Sequence, residues 1–238
     1  MARKYLKGGA LTAPLPPALV SVGDGEESNL ITIGWTGILA TIPPTTYISV
    51  RPSRYSHRLL EKNGEFVIHL ASEELAPAVD YCGIYTGEKV DKFKNCGLTP
   101  IPSEHVKCPT VAECPVAIEC RVSRVVPMGS HDVFVADIVG ASVDEKYFDE
   151  AGKIHLEWAN LLAYMHGEYF TIGRRVGKFG YAATSGEKGG VKGKINPHRE
   201  GAKKAQPPKK KNAPSPKKGG EMKKKTKRSM KSEGRRKK

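Results

Sequence analysis

The stretch Ser28–Phe66, SNLITIGWTGILATIPPTTYISVRPSRYSHRLLEKNGEF, decides the fold. Its runs "NLITIGW" and "TTYISVR" are short, rich in β-branched and aromatic residues, and partly alternate with a period of two, as half-buried strands do. At "RYSHRLLEKNG" the period changes. Tyr55, Leu59 and Leu60 fall on one side of a helix, with Ser53 as its expected N-cap and Gly64 as its stop. A strand therefore ends on a cluster of arginines and hydroxyls and hands over to a helix.

Working outward, "ALVSVG", "EFVIHLA", "VAIECRVSRVV" and "DVFVADIVGASVD" repeat the strand signature. Helical signals are fewer. "ASEELAPAVDYCGIYTG" places Ser72 before Glu73 and Glu74, a good helix start complicated by Pro77, and "HLEWANLLAYMHG" predicts a third short helix ending at Gly167. Strands outnumber helices without alternating regularly with them. That pattern predicts a mainly β chain, a mostly antiparallel sheet closed into a barrel with a few helices, rather than a doubly wound fold.

The charge is unevenly distributed. Residues 183–238 carry 21 Lys+Arg against 4 Asp+Glu, so the whole-chain +14 leaves a formal −3 on residues 1–182. The last 56 residues contain no Phe, Trp or Tyr, and cannot bury enough apolar area to offset the entropy of ordering them. This predicts one folded domain, 1–182, followed by a disordered Lys/Pro/Gly-rich tail, 183–238.

Five cysteines, an odd number, follow an N-terminal segment that Gly and Pro break before an apolar leader can form, which reads as a reducing, cytoplasmic setting. No apolar run is long enough for a membrane span. Cys108, Cys114 and Cys120 are six apart, a spacing that fits no common zinc site, so no metal is expected; Cys120 alternates with Val116, Ile118 and Val122 as a core-facing strand residue. No G-x-G-x-x-G joins a strand to a helix, "GEKGGVKGKI" fails as a phosphate loop at Lys188 and Ile195, and no G-x-S-x-G elbow occurs.

What the opening stretch does offer is chemically mixed. Arg51, Ser53, Arg54 and Ser56 gather cations and hydroxyls where a strand gives way to a helix N-terminus, a suitable seat for a phosphate. Trp35, set among Gly34, Thr36 and Gly37, offers an indole beside a backbone that a flat ring can approach, and Asn29 adds an amide. A flavin mononucleotide asks for such a set: donors for its phosphate, polar groups for its ribityl chain and an apolar berth for its ring.

The succession "NLITIGW…PP…SRYSH", "YCGIYTGEKVDKF" and "YMHGEYFTIGRRVGKFGY" resembles the flavin reductase-like family of FMN-binding split barrels, most closely its flavoredoxin branch, from about Ala18 to Tyr181. The resemblance implies a homodimeric, Greek-key antiparallel split barrel with one FMN per subunit. It places Asn29 and Trp35 at the ring and ribityl region, Ser56 at the phosphate, Lys92 as a cation over the cofactor with Thr86 and Gly87 shaping its loop, His131 as a proton-handling group at the flavin edge, and Tyr164 near the ring.

The implied activity is that of an FMN-dependent oxidoreductase, taking electrons from NAD(P)H or a redox protein to the flavin and on to an acceptor. An FMN electron carrier without NAD(P)H activity is the nearest alternative. A different class of function would use the tail, whose lysine clusters suit nonspecific contact with nucleic acid or another polyanion.

Overall fold

A computed structural model describes residues 3–181; the predicted tail, 183–238, lies outside them. In chain order the strands are β1 Ala18–Val22, β2 Asn29–Ile33, β3 Thr36–Thr41, β4 Pro44–Val50, β5 Glu65–Leu70, β6 Pro100–Ile101, β7 Thr110–Val111, β8 Val116–Pro127, β9 Asp132–Val143, β10 Leu162–Met165 and β11 Glu168–Thr171. The helices are α1 Tyr55–Asn63, α2 Ala76–Ile84 and α3 Lys92–Cys96.

Seven strands form one antiparallel sheet in the order β2-β1-β5-β8-β9-β4-β3, and β6-β7 and β10-β11 are separate two-stranded pairs. β2 and β3 stand at the two ends of the order yet follow each other in the chain, joined by Gly34 and Trp35. The hydrogen-bonded ladder therefore stays open at one seam. Ser49 N–H of β4 donates to the Trp35 carbonyl at 3.0 Å, carrying the β3–β4 ladder one residue further toward that seam.

Period-two alternation decides which side chains share a core. Val20, Ile31, Ile33, Ile48, Val50, Phe66, Ile68, Cys120, Phe134 and Ala136 come from six strands and form a single buried cluster with Leu59 and Leu60 of α1. One cluster fed by every strand of the seven-stranded sheet except β3 is the interior of a curled sheet, and α1 lies against it. The opposite faces are covered separately. Leu19 and Leu30 pack under α2 and α3, while Val67 and Ala117 pack under the segment carrying Val106 and Cys108. Phe66 and Phe134 are fully buried, so truncating either to Ala costs about 3–5 kcal/mol.

Several sequence expectations change here. Ser53 caps nothing: the N-cap position of α1 is Arg54 and receives no side-chain bond, although Gly64 does end the helix in the left-handed conformation, at φ 65°. Pro77 does not disturb its helix because it falls in the first turn of α2, where a missing N–H costs nothing. The helix predicted over "HLEWANLLAYMHG" is absent. Only Leu156–Trp158 makes a 3-10 turn; Asn160 then takes φ 46° and the chain becomes β10, whose Tyr164 pairs with Leu15. Cys120 faces the interior as its alternation indicates.

Candidate functional site

Two cavities meet on one side of the sheet and share Ile31, Arg51 and Arg54 in their walls. The larger, about 410 Å³, is bounded by the ends of β2 and β4 and by the β10-β11 hairpin. Trp35, Tyr164 and Tyr169 give it an aromatic lining, with His131 at its edge. Tyr164 and Tyr169 are direct cross-strand partners, with ring centroids 5.5 Å apart, so the hairpin register presents both at once. Tyr169 is also tied to α2, its hydroxyl donating to Asp80 at 3.1 Å; burial first, and then the Asp80 carboxylate, push its phenol up to about 12.

The smaller cavity, about 210 Å³, is built by different elements: the β4–α1 junction, the start of β2 and the α2–α3 loop. Its walls carry Arg51, Ser53, Arg54, Ser56, Asn29, Thr86 and Lys92, with no carboxylate among them. Asn29 is buried and its Nδ2 donates to Ser56 Oγ at 2.8 Å, locking the β2 amide onto the first turn of α1. Gly87 makes this closeness possible. A Cβ at that position would lie 2.0 Å from Asn29 Oδ1, so the loop lies flush against the amide only because the side chain is missing.

Lys92 is buried rather than exposed at the surface. Its buried Nζ donates to the carbonyls of Leu30 at 2.7 Å and Cys82 at 2.9 Å, pinning the α2–α3 loop to β2, and burial first lowers its pKa to about 8, with the Arg54 charge acting in the same direction. It still lines the cationic cavity.

His131 precedes β9, and its Nδ1 lies 2.9 Å from Ser130 Oγ. Its neighbour Asp132 is bonded at 2.7 Å to Nε2 of His57, a buried α1 ring that stands edge-on to Phe134. The His131 turn and the arginine-bearing turn are thus braced together through α1.

Of the predicted site residues, Trp35, Arg51, Arg54, His131 and Tyr164 line the aromatic cavity. Asn29, Ser53, Ser56, Thr86 and Lys92, again with Arg51 and Arg54, line the cationic one. Thr36 and Gly37 lie outside both. They sit on β3 against Tyr47, Thr36 Oγ1 donating to its carbonyl at 2.6 Å. Sequence reading missed Tyr85 in the cationic cavity and Tyr169 in the aromatic one; the latter had a signal in "YMHGEYF", a hairpin turn flanked by tyrosines that was read as the end of a helix.

An aromatic chamber opening into a carboxylate-free pocket of arginine, hydroxyl and amide is the donor set of a flavin site, and residues 11–173 match the family described as "Flavin reductase like domain". The chain belongs to this family. A flavoredoxin of Desulfovibrio vulgaris (Miyazaki F) is 32% identical, with TM-score 0.71 over 76% of this chain and 99% of that one. An FMN-binding protein from Thermus thermophilus, solved with bound 1-cyclohex-2-enone, is 28% identical, with TM-score 0.61 over 71% of this chain and 96% of the other. Among sequence relatives, an uncharacterised protein of Pyrococcus abyssi is 33% identical over 165 residues, 69% of this chain and 94% of its own length. Among the described residues, no helix is long and apolar enough to cross a membrane.

Proposed function

We propose that this chain is an FMN-binding oxidoreductase in which the cationic cavity holds the phosphate and the aromatic chamber the ring. The observation that carries this reading is that the two cavities adjoin and share Arg51 and Arg54. Arg51 and Arg54 neutralise the phosphate, Ser53 and Ser56 offer hydroxyls to it, and the positive end of α1 favours an anion at the same place. Asn29, with Nδ2 committed to Ser56, keeps its carbonyl oxygen for a ribityl hydroxyl. When bound, FMN supplies redox chemistry at its ring.

Trp35, Tyr164 and Tyr169 exclude water from the chamber, and His131 presents an imidazole at its edge, where it can hold or release a proton. Electrons enter from NAD(P)H or from a redox protein and leave to an acceptor. Ile38, Leu39 and Ile42, all exposed on or beside the edge strand β3, support a homodimer built on that edge.

The test is to saturate the purified protein with FMN, confirm the flavin band at about 450 nm, and add NADH or NADPH without oxygen. Bleaching with either marks a reductase. A protein that binds FMN but bleaches only with a reduced redox protein is an electron carrier, and one that stays colourless with excess FMN refutes the reading.

The basic segment after residue 182 supports a second activity, nonspecific polyanion binding, from its charge alone. Filter binding to RNA and DNA across a salt series, with and without residues 183–238, decides it: unchanged binding on truncation rejects the idea.

A further inference from the structure

The five cysteines are free thiols, and four of them, Cys82, Cys108, Cys114 and Cys120, are buried. Cys96 alone is half-buried, and its Sγ lies 3.9 Å from that of Cys82. The two belong to different elements, Cys82 to the last turn of α2 and Cys96 to the end of α3. One residue earlier on each, Asn95 Nδ2 donates to the Tyr81 hydroxyl at 2.9 Å, a bond that holds the helices in the register that brings the sulfurs together. The chain between the two cysteines walls the cationic cavity, to which it contributes Tyr85, Thr86, Gly87 and Lys92. Burial raises both thiols, Cys82 up to about 12, and the Lys92 ammonium opposes that rise in each.

We propose that Cys82 and Cys96 are a reversible dithiol pair, oxidised by exchange with a low-molecular-weight disulfide such as oxidised glutathione, and that the bond they form staples the loop wall of the cationic cavity. Cys96 has the access to start the exchange. Its thiolate attacks one sulfur of the small disulfide and expels the other, which takes up the Cys96 proton; the Cys82 thiolate then attacks Cys96 Sγ in the mixed disulfide and expels the second small thiol, which takes up the Cys82 proton. Two cysteine thiols are oxidised, and one small disulfide is reduced to two thiols. The sulfurs must close from 3.9 Å to about 2.05 Å, and α3, five residues ended by Gly97, is the short element that shifts to allow it. The bond fixes a loop that Lys92 otherwise holds through the Leu30 and Cys82 carbonyls, so a ligand seated against that loop leaves more slowly. This effect on FMN rests on the reading above; the bridge itself does not.

The test treats the full chain with oxidised glutathione, blocks the remaining thiols and maps the cysteines by mass spectrometry, before and after dithiothreitol. A Cys82–Cys96 crosslink that dithiothreitol reverses is expected, with the thermal midpoint raised by at least about 4 °C. In protein loaded with FMN, release of the flavin on dilution, read as recovered fluorescence, is expected to slow at least about threefold in the bridged form and to be unaffected by oxidation in Cys96→Ser. Five free thiols after treatment, glutathione left stably on Cys96, or a bridge from Cys82 to Cys114 overturns the pair. A bridge that leaves FMN release unchanged overturns its link to the cavity. A chain that binds no FMN refutes the FMN reading, while the thiol map still decides the bridge.

Discussion

The aromatic chamber and the cationic cavity touch, yet they are made in different ways. The chamber is a product of strands: β2 and β4 end at its floor, and the Tyr164–Tyr169 pair is set by the register of one hairpin. The cationic cavity is a product of junctions, where the chain leaves β4 for α1 and α2 for α3, and its shape depends on one absent side chain at Gly87 and one buried amine at Lys92. Area and shape do the work in the first, charge and donors in the second. The two should therefore fail differently when disturbed, and comparing FMN with riboflavin, which lacks the phosphate, separates them.

Removing both arginines should have the largest effect. Arg51→Ala with Arg54→Ala is expected to weaken FMN about 100-fold, since bonds to a charged group contribute about 1.5–3 kcal/mol each, while riboflavin changes by less than about threefold. Equal losses for the two ligands would mean that the arginines shape the chamber instead. Gly87→Ala comes next. The new Cβ must displace the buried Asn29 amide and break its bond to Ser56, which should cost about tenfold in FMN affinity through lost contacts at the ribityl and phosphate end; a crystal structure or NMR shift of Asn29 would show the displacement.

Alkaline pH gives a milder probe. The Lys92 pKa in the free protein is lowered to about 8, so above that value the amine loses its proton and the cationic cavity loses a charge. Binding a phosphate favours the protonated form, so FMN affinity should fall as pH rises through 8, by up to about tenfold by pH 9, while riboflavin affinity stays level. A flat FMN profile from pH 7 to 9 would remove Lys92 from the phosphate's surroundings. Trp35→Ala should have the smallest effect, about fivefold, and should act on FMN and riboflavin alike because the indole meets only the ring end.

The same contrast explains what could be read from the sequence. Strands that alternate or are rich in β-branched residues announced themselves, so six of the seven in the large sheet were legible, along with the helix that ends at Gly64. β3 was not, because "TGILAT" lies at an edge with Ile38 and Leu39 exposed and does not alternate. The "HLEWANLLAYMHG" segment misled because Trp158, Leu161, Leu162 and Met165 have helical spacing, while tertiary pairing of Tyr164 with Leu15 and of β10 with β11 sets its conformation. Within the site, the cluster of arginines and hydroxyls was visible as composition. The bonds of Lys92 to Leu30 and Cys82 were not, since they join residues 62 and 10 positions apart that only the fold brings together. Thr36 and Gly37 stand next to Trp35 in the chain, but both belong to the edge strand β3, where Thr36 bonds the Tyr47 carbonyl and Gly37 lies beside the Tyr47 ring.

A crystal structure of the protein grown with FMN tests the central claim most directly. Density for a single flavin should run from a phosphate beside Arg54 and Ser56 to a ring against Trp35. A flavin seated elsewhere, or a phosphate found with Arg51 and Arg54 unengaged, would contradict it.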